Sequence, residues 1–213
     1  MYNNNGNTSI SYNNFLEMPR IPYKIVEKLA TDTNSSAENL WKILKYATTK
    51  PLDEDNLTFS EKMALLWTPD KVDSSQENLF RVFLKPLVSS SLNDADEQIQ
   101  LKIFRNDSVP NNSNMAMLTY RFDLITQEAC CHVYDEDGFL VERTDMMEAY
   151  LLDCLNGSDN GIGSSFLEFN RMMSSSSKSI ISINNSKSIY GRSFLMGLRY
   201  MNPKSGGGCQ WLI

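Results

Sequence analysis

The apolar period of this chain changes from near 3.6 residues to near 2 at about residue 79, and the switch calls for a helical first part followed by a strand-rich one. Pro22 suits a first helical turn, with Ile25, Val26 and Leu29 following at helix spacing. Ser36 is placed to cap AENLWKILKYA, where Leu40, Trp41, Leu44 and Ala47 make one apolar face. Thr58 and Glu61 form a capping box ahead of Met63, Leu65, Leu66 and Trp67. Trp41 and Trp67 are expected to anchor the core of this helical unit.

After the switch, EQIQLKIFR sets Ile99, Leu101 and Ile103 against Gln98, Gln100 and Lys102, the pattern of a half-buried strand. NDSVPNNSN, with Pro110, reads as a loop. MAMLTYRFDLITQ alternates Met117, Thr119, Arg121 and Asp123 with Leu118, Tyr120, Phe122 and Leu124, a second strand. CCHVY continues it as a hairpin or forms a neighbouring strand, before a turn at Asp137-Gly138. Thr144 is the expected N-cap of a helix whose Met147, Tyr150, Leu151 and Leu155 share a face and which Asn156-Gly157 stops. SFLEFNRMM, SIISI and SFLMGLRYM predict three more strands. The expected fold class is α+β: an N-terminal helical unit followed by a mostly antiparallel sheet with one packed helix. Residues 1–18 are expected to be a flexible arm, 19–75 a helical subdomain, 76–203 an α+β domain and 204–213 a flexible tail.

Composition excludes several classes. In 213 residues no apolar run approaches the roughly 18 needed to span a bilayer, so no membrane partner is expected. The first residues lack the basic start and apolar centre of a secretion signal, which predicts retention in the compartment of synthesis. A net charge of -6 and scattered Lys and Arg argue against wrapping nucleic acid. Four cysteines, two of them adjacent, make no disulfide framework and are expected as reduced thiols.

Each chemical motif fails at a definite position. His132 beside Cys130 and Cys131 in a strand puts neighbours on opposite faces, so the three are not expected to converge on zinc or to form a nucleophile pair. Aligning Asp135-Glu136-Asp137-Gly138 with a calcium loop places Val133 and Thr144 where Asp and Glu are required. Gly161-Ile162-Gly163 lacks a third glycine and a following helix, so it predicts a turn rather than a dinucleotide site. Asp53, Glu54, Asp55, Glu142 and Glu148 read as solvated or helix-dipole charges. No catalytic residue, metal or cofactor is expected, and the chain is read as a non-enzyme. Beyond the spacer Ser205–Gly208, the apolar tip Cys209–Ile213 reads either as tucking into its own domain or, more sharply, as an anchor docking on a neighbouring subunit or partner ring, with Trp211, Leu212 and Ile213 as interaction residues.

The order FDLIT, turn, RTDMMEAYLLDCLNG, GIGSSFLEF, polar hairpin and YGRSFLMGLRY resembles the neck proteins of tailed bacteriophages, the tail-terminator and head-tail connector group. The resemblance covers about residues 98–203. Phe122–Thr126 match the first strand, Arg143 the helix-leading arginine, Gly161, Gly163, Leu167 and Phe169 the glycine-strand element, and Tyr190, Gly191 and Leu195 the last strand. The helical first third, the Asn-rich arm and the Gly-rich tail depart from that group; the composition and the leader IPYKIVEKLA are similar to ring proteins of crAss-like short-tailed phages. The resemblance implies a structural virion protein, assembled in the host cytoplasm into a homo-oligomeric ring of six or twelve subunits in the neck. Its partners would be portal or adjacent neck and tail proteins, and double-stranded DNA passing without sequence-specific contact. The alternative is a small non-enzymatic binding or regulatory domain, monomeric or dimeric.

Overall fold

The computed structural model describes residues 18–71, 80–85, 99–112, 115–156, 167–169, 178–184 and 187–201. Within them the fold is α+β, with helices first and a mostly antiparallel sheet after. Helix α1 (Ile21–Thr31) carries Pro22 in its first turn, where no helical N–H is lost, and buries Ile21, Ile25, Val26, Leu29 and Ala30. Helix α2 (Ser35–Lys45) is capped by Asn34, whose Oδ1 accepts the Ala37 N–H at 2.7 Å. Ser36 is therefore not the cap: it lies inside the first turn, and its hydroxyl donates to Asp153 Oδ2 at 2.7 Å. Helix α3 (Phe59–Ala64) has the full Thr58–Glu61 capping box. It ends before Trp67, which is half-buried under Lys85 Nζ, 3.7 Å from the ring centroid. Of Trp41 and Trp67, Trp41 is the core anchor; it is buried, and its indole N–H donates to the Leu29 carbonyl at 2.8 Å.

Among the described residues eight strands follow: β1 (Val82–Phe83), β2 (Ile99–Asn112), β3 (Met115–Gln127), β4 (His132–Tyr134), β5 (Leu140–Glu142), β6 (Leu167–Phe169), β7 (Lys178–Asn184) and β8 (Lys187–Met201). The main sheet has the order β1-β2-β3-β8-β6, with β7 also paired to β8, while β4 and β5 form a separate ribbon. β1 is parallel to β2 and the remaining strand pairs are antiparallel.

The sheet corrects three expectations. NDSVPNNSN is not a loop, because β2 runs through Pro110, which pairs with Ala116 beside a register shift. β1 covers β2 only at Leu101 and Lys102, so among the described strands Pro110 lies on an outer edge beside a bulge, the places in a sheet where proline is tolerated. Nor is β2 half-buried at its start, residues 99–103. Ile99, Leu101 and Ile103 join the core as predicted, yet Gln100 and Lys102 on the opposite face are buried as well. Lys102 faces Asp123 in register; burial lowers the lysine pKa, and the carboxylate opposes that shift. Finally, CCHVY does not prolong β3. The chain turns through Glu128–Cys130, and only His132–Tyr134 is strand.

Helix α4 (Arg143–Leu155) buries Met147, Leu151 and Leu155 and packs on α2 and the sheet. Thr144 is not its N-cap; Glu142 holds that position without a side-chain bond, and the Arg143 N–H donates to the Cys131 carbonyl at 2.7 Å. One apolar cluster joins Ile25, Trp41 and Leu44 of the helices to Leu101, Phe122 and Phe194 of the sheet and Leu151 of α4. Phe122 and Phe194 stack at 5.0 Å between β3 and β8. Among the described residues no helix is long and apolar enough to cross a membrane.

The most unusual member of this interior is Arg143, fully buried. Its Nε donates to Cys130 O at 2.6 Å, Nη1 to Ile43 O at 2.7 Å and Tyr46 O at 2.9 Å, and Nη2 to Thr48 O at 2.6 Å. Ile43 and Tyr46 end α2, where carbonyls lack helical partners and the helix dipole favours a cation. Desolvation still lowers the guanidinium pKa to about 10, which leaves it charged at neutral pH. Arg143→Met should cost about 3–5 kcal/mol in urea unfolding, because it strands buried carbonyls around an apolar group. Arg143→Lys should recover only part, since one ammonium cannot span the fork. A loss below about 1 kcal/mol for Arg143→Met would contradict this role.

Candidate functional site

Arg143 ties the end of α2 to the turn before β4, and the β4–β5 ribbon projects from that anchor. The Tyr134 N–H donates to Thr49 O at 2.8 Å. At the tip, Asp135 Oδ1 accepts the N–H groups of Asp137 at 3.0 Å and Phe139 at 2.7 Å, and Gly138 takes φ of +82°. This is the β-turn expected at Asp137-Gly138, with glycine supplying a backbone conformation that side chains disfavour. Only Val133 of β4 is buried. The ribbon therefore presents apolar side chains to solvent: Phe139 is 67% exposed, Leu140 57% and Tyr134 37%.

Beside the tip lies a half-open cleft of about 460 Å³, lined by Lys50, Leu52, Asp53, Tyr134, Asp135, Glu136 and Gly138. Lys50 Nζ stands 5.8 Å from the Tyr134 ring centroid, and Asn39 Nδ2 donates to Glu136. Burial and the Glu136 charge push the Tyr150 phenol up to about 12, so it remains protonated. The cleft lining thus combines Leu52 and the Tyr134 ring with three carboxylates and one lysine. Asp53, Glu54 and Asp55 are all exposed, as read from the sequence, and Asp53 also lines the cleft.

Cys131 and His132 depart from the expected geometry. Cys131 has helical backbone angles, φ -73° and ψ -18°, so strand alternation does not apply, and its Sγ lies 3.0 Å from His132 Nδ1. Contact alone does not make a nucleophile. Burial, Glu128 and Glu142 raise the Cys131 pKa against the opposing charge of Arg143, which holds the sulfur as a thiol. Cys130 points elsewhere, its Sγ donating to Gln127 O at 3.5 Å. Among the described residues no group of three or more His, Cys, Asp or Glu is placed to hold a metal ion.

The acidic start of α4 has a specific partner. Arg192 of β8 lies 3.7 Å from Glu142 and 3.8 Å from Glu148 and pairs closely with Asp145. These carboxylates latch the helix onto the sheet as well as complementing its dipole. Gly161-Ile162-Gly163 and the predicted contacts Trp211, Leu212 and Ile213 lie outside the described residues. The sequence reading missed Tyr134, Phe139 and Leu140. The available signal was Phe-Leu directly after Asp-Gly, apolar side chains at a turn that solvent should surround.

The raised pKa predicts a smaller thiolate fraction at Cys131 than in free cysteine at pH 7, so iodoacetamide should modify it more slowly. Faster labelling at Cys131, mapped by peptide mass spectrometry, would identify an activated pair instead. Comparison with known proteins adds no relative to this geometry: no protein-family model and no curated protein matches the chain.

Proposed function

We propose that the chain is a structural subunit of a phage neck, forming a homo-oligomeric ring that joins portal to tail around the DNA channel. The observation that carries the reading is the order β3, α4, β6, polar hairpin and β8, with α4 latched on one face of the sheet, which follows the connector-like sequence order. Arg143, at the position of the helix-leading arginine, gives that order a rigid core. The exposed tip at Phe139 and Leu140 supplies a surface for assembly rather than for chemistry. A net acidic wall would repel DNA and let it slide, so a non-enzymatic role and a virion location belong to the same proposal.

The second reading, a monomeric or dimeric binding domain, draws on the cleft beside Tyr134, which is large enough for a small ligand. Mass separates the two. Sedimentation of the 24.3 kDa chain, alone and mixed with its portal protein, should reveal a species of six or twelve copies. A stable species of one or two copies under both conditions would reject the ring.

A further inference from the structure

The exposed end of the β4–β5 ribbon and the cleft beside it form one continuous surface. Tyr134 pairs with Leu140 in register, so the two side chains stand on the same face of the ribbon, while Val133 is buried on the other. Tyr134 also lines the cleft, and Phe139 follows Gly138 at the turn. Apolar area therefore runs from the cleft to the tip, where Phe139 and Leu140 are each more than half exposed. Covering it is favourable by about 25 cal/mol for each Å² removed from water.

The charge around this surface selects what covers it. Asp135, Glu136 and Asp137 crown the tip, Asp53 lines the cleft with exposed Glu54 and Asp55 after it, and Lys50 is the one cation of the lining. Such an excess of carboxylates repels phosphate groups, which disfavours nucleic acid and anionic bilayers in spite of the apolar tip. Two copies meeting tip to tip would bring their acidic crowns together. The complementary occupant is a polypeptide segment that carries cations beside apolar side chains. Arginine suits it better than lysine, because a guanidinium both stacks on a tyrosine ring and forks onto a carboxylate. Asp135 commits one oxygen, Oδ1, to its own turn, and a carboxylate has two.

We infer that the β4–β5 tip and its cleft receive an arginine-bearing apolar segment of another protein, with a guanidinium in the cleft among Asp53, Asp135 and the Tyr134 ring and apolar side chains on Phe139 and Leu140. The inference goes beyond the ring reading and does not require it, since the partner is a different chain whether or not this one closes into a ring.

The test uses the full-length chain labelled with nitrogen-15, its amide spectrum, and three capped peptides, GRLWLRG, GELWLEG and GRSSSRG. GRLWLRG should shift the amide signals of residues 134–140 and bind at least about 10-fold more tightly than either of the others. Phe139→Ser/Leu140→Ser should weaken that binding at least about 10-fold, and Asp53→Lys/Asp137→Lys should make GELWLEG the better ligand. Both double variants alter exposed positions, and a dispersed amide spectrum checks that each stays folded. Absence of shifts at residues 134–140 would overturn the docking, as would equal binding of GRLWLRG and either other peptide. Co-sedimentation with phosphatidylserine vesicles that Phe139→Ser/Leu140→Ser abolishes would make a bilayer the occupant instead. Self-association of the chain alone that the same variant abolishes would make it a second copy. Failure of the peptide to bind leaves the ring reading standing, because that reading is judged by mass.

Discussion

The structure depends on one buried cation. Arg143 reaches carbonyls on the last turn of α2, on the segment after it and on the turn before β4. Three of those carbonyls, on Ile43, Tyr46 and Thr48, lie 95 to 100 positions before Arg143, so a single side chain ties the helical unit to the start of α4. The arrangement is balanced rather than simply favourable. Removing a guanidinium from water is costly, as its lowered pKa records, and the carbonyls would be equally costly if left alone. Neither side has a cheaper alternative in the folded chain, which fixes the geometry uniquely.

Polar burial recurs on the far face of the sheet. Gln100, Lys102, Thr119, Asp123, Gln127 and Ser193 are buried opposite the apolar core, and Lys102 and Asp123 face each other in register. An all-apolar second face would tolerate a one-residue slip of β2 against β3. A lysine that must meet an aspartate does not, so the pair specifies register at some cost in desolvation.

Much of this was legible in the sequence where the signal was local. The capping box at Thr58 and Glu61, the alternation of β3, the apolar face of α4 and the turn at Gly138 need only nearby residues, and each is present. Failures came where distant contacts decide. Pro110 reads as a loop until β2 is known to be an outer strand there. Asn34 and Ser36 both suit a cap, and Asp153, far along the chain, takes the Ser36 hydroxyl. Cys131 and His132 meet because the chain bends after β3, which no alternation rule foresees. Arg143 was the hardest to foresee, since arginine is mostly a surface residue and its partners are backbone atoms that carry no side-chain signature. For the site, the apolar Phe139-Leu140 pair was readable by inspection, but it carries no meaning until the fold shows that these side chains stay exposed.

The core and the exposed tip are therefore one problem. A two-stranded ribbon is marginal in isolation, and an apolar turn on a mobile ribbon would pay again in entropy whenever it bound a partner. Here the ribbon leaves the core at Cys130 and returns at Arg143, and the same guanidinium holds both points to the end of α2. Tyr134 adds a third tether at Thr49. With its base fixed, the tip keeps its apolar side chains and acidic crown in a set arrangement before any partner arrives. Under the ring reading, a neutral replacement of Arg143 would then weaken assembly before it unfolded the subunit, because binding would first have to restore the ribbon that the cation now holds.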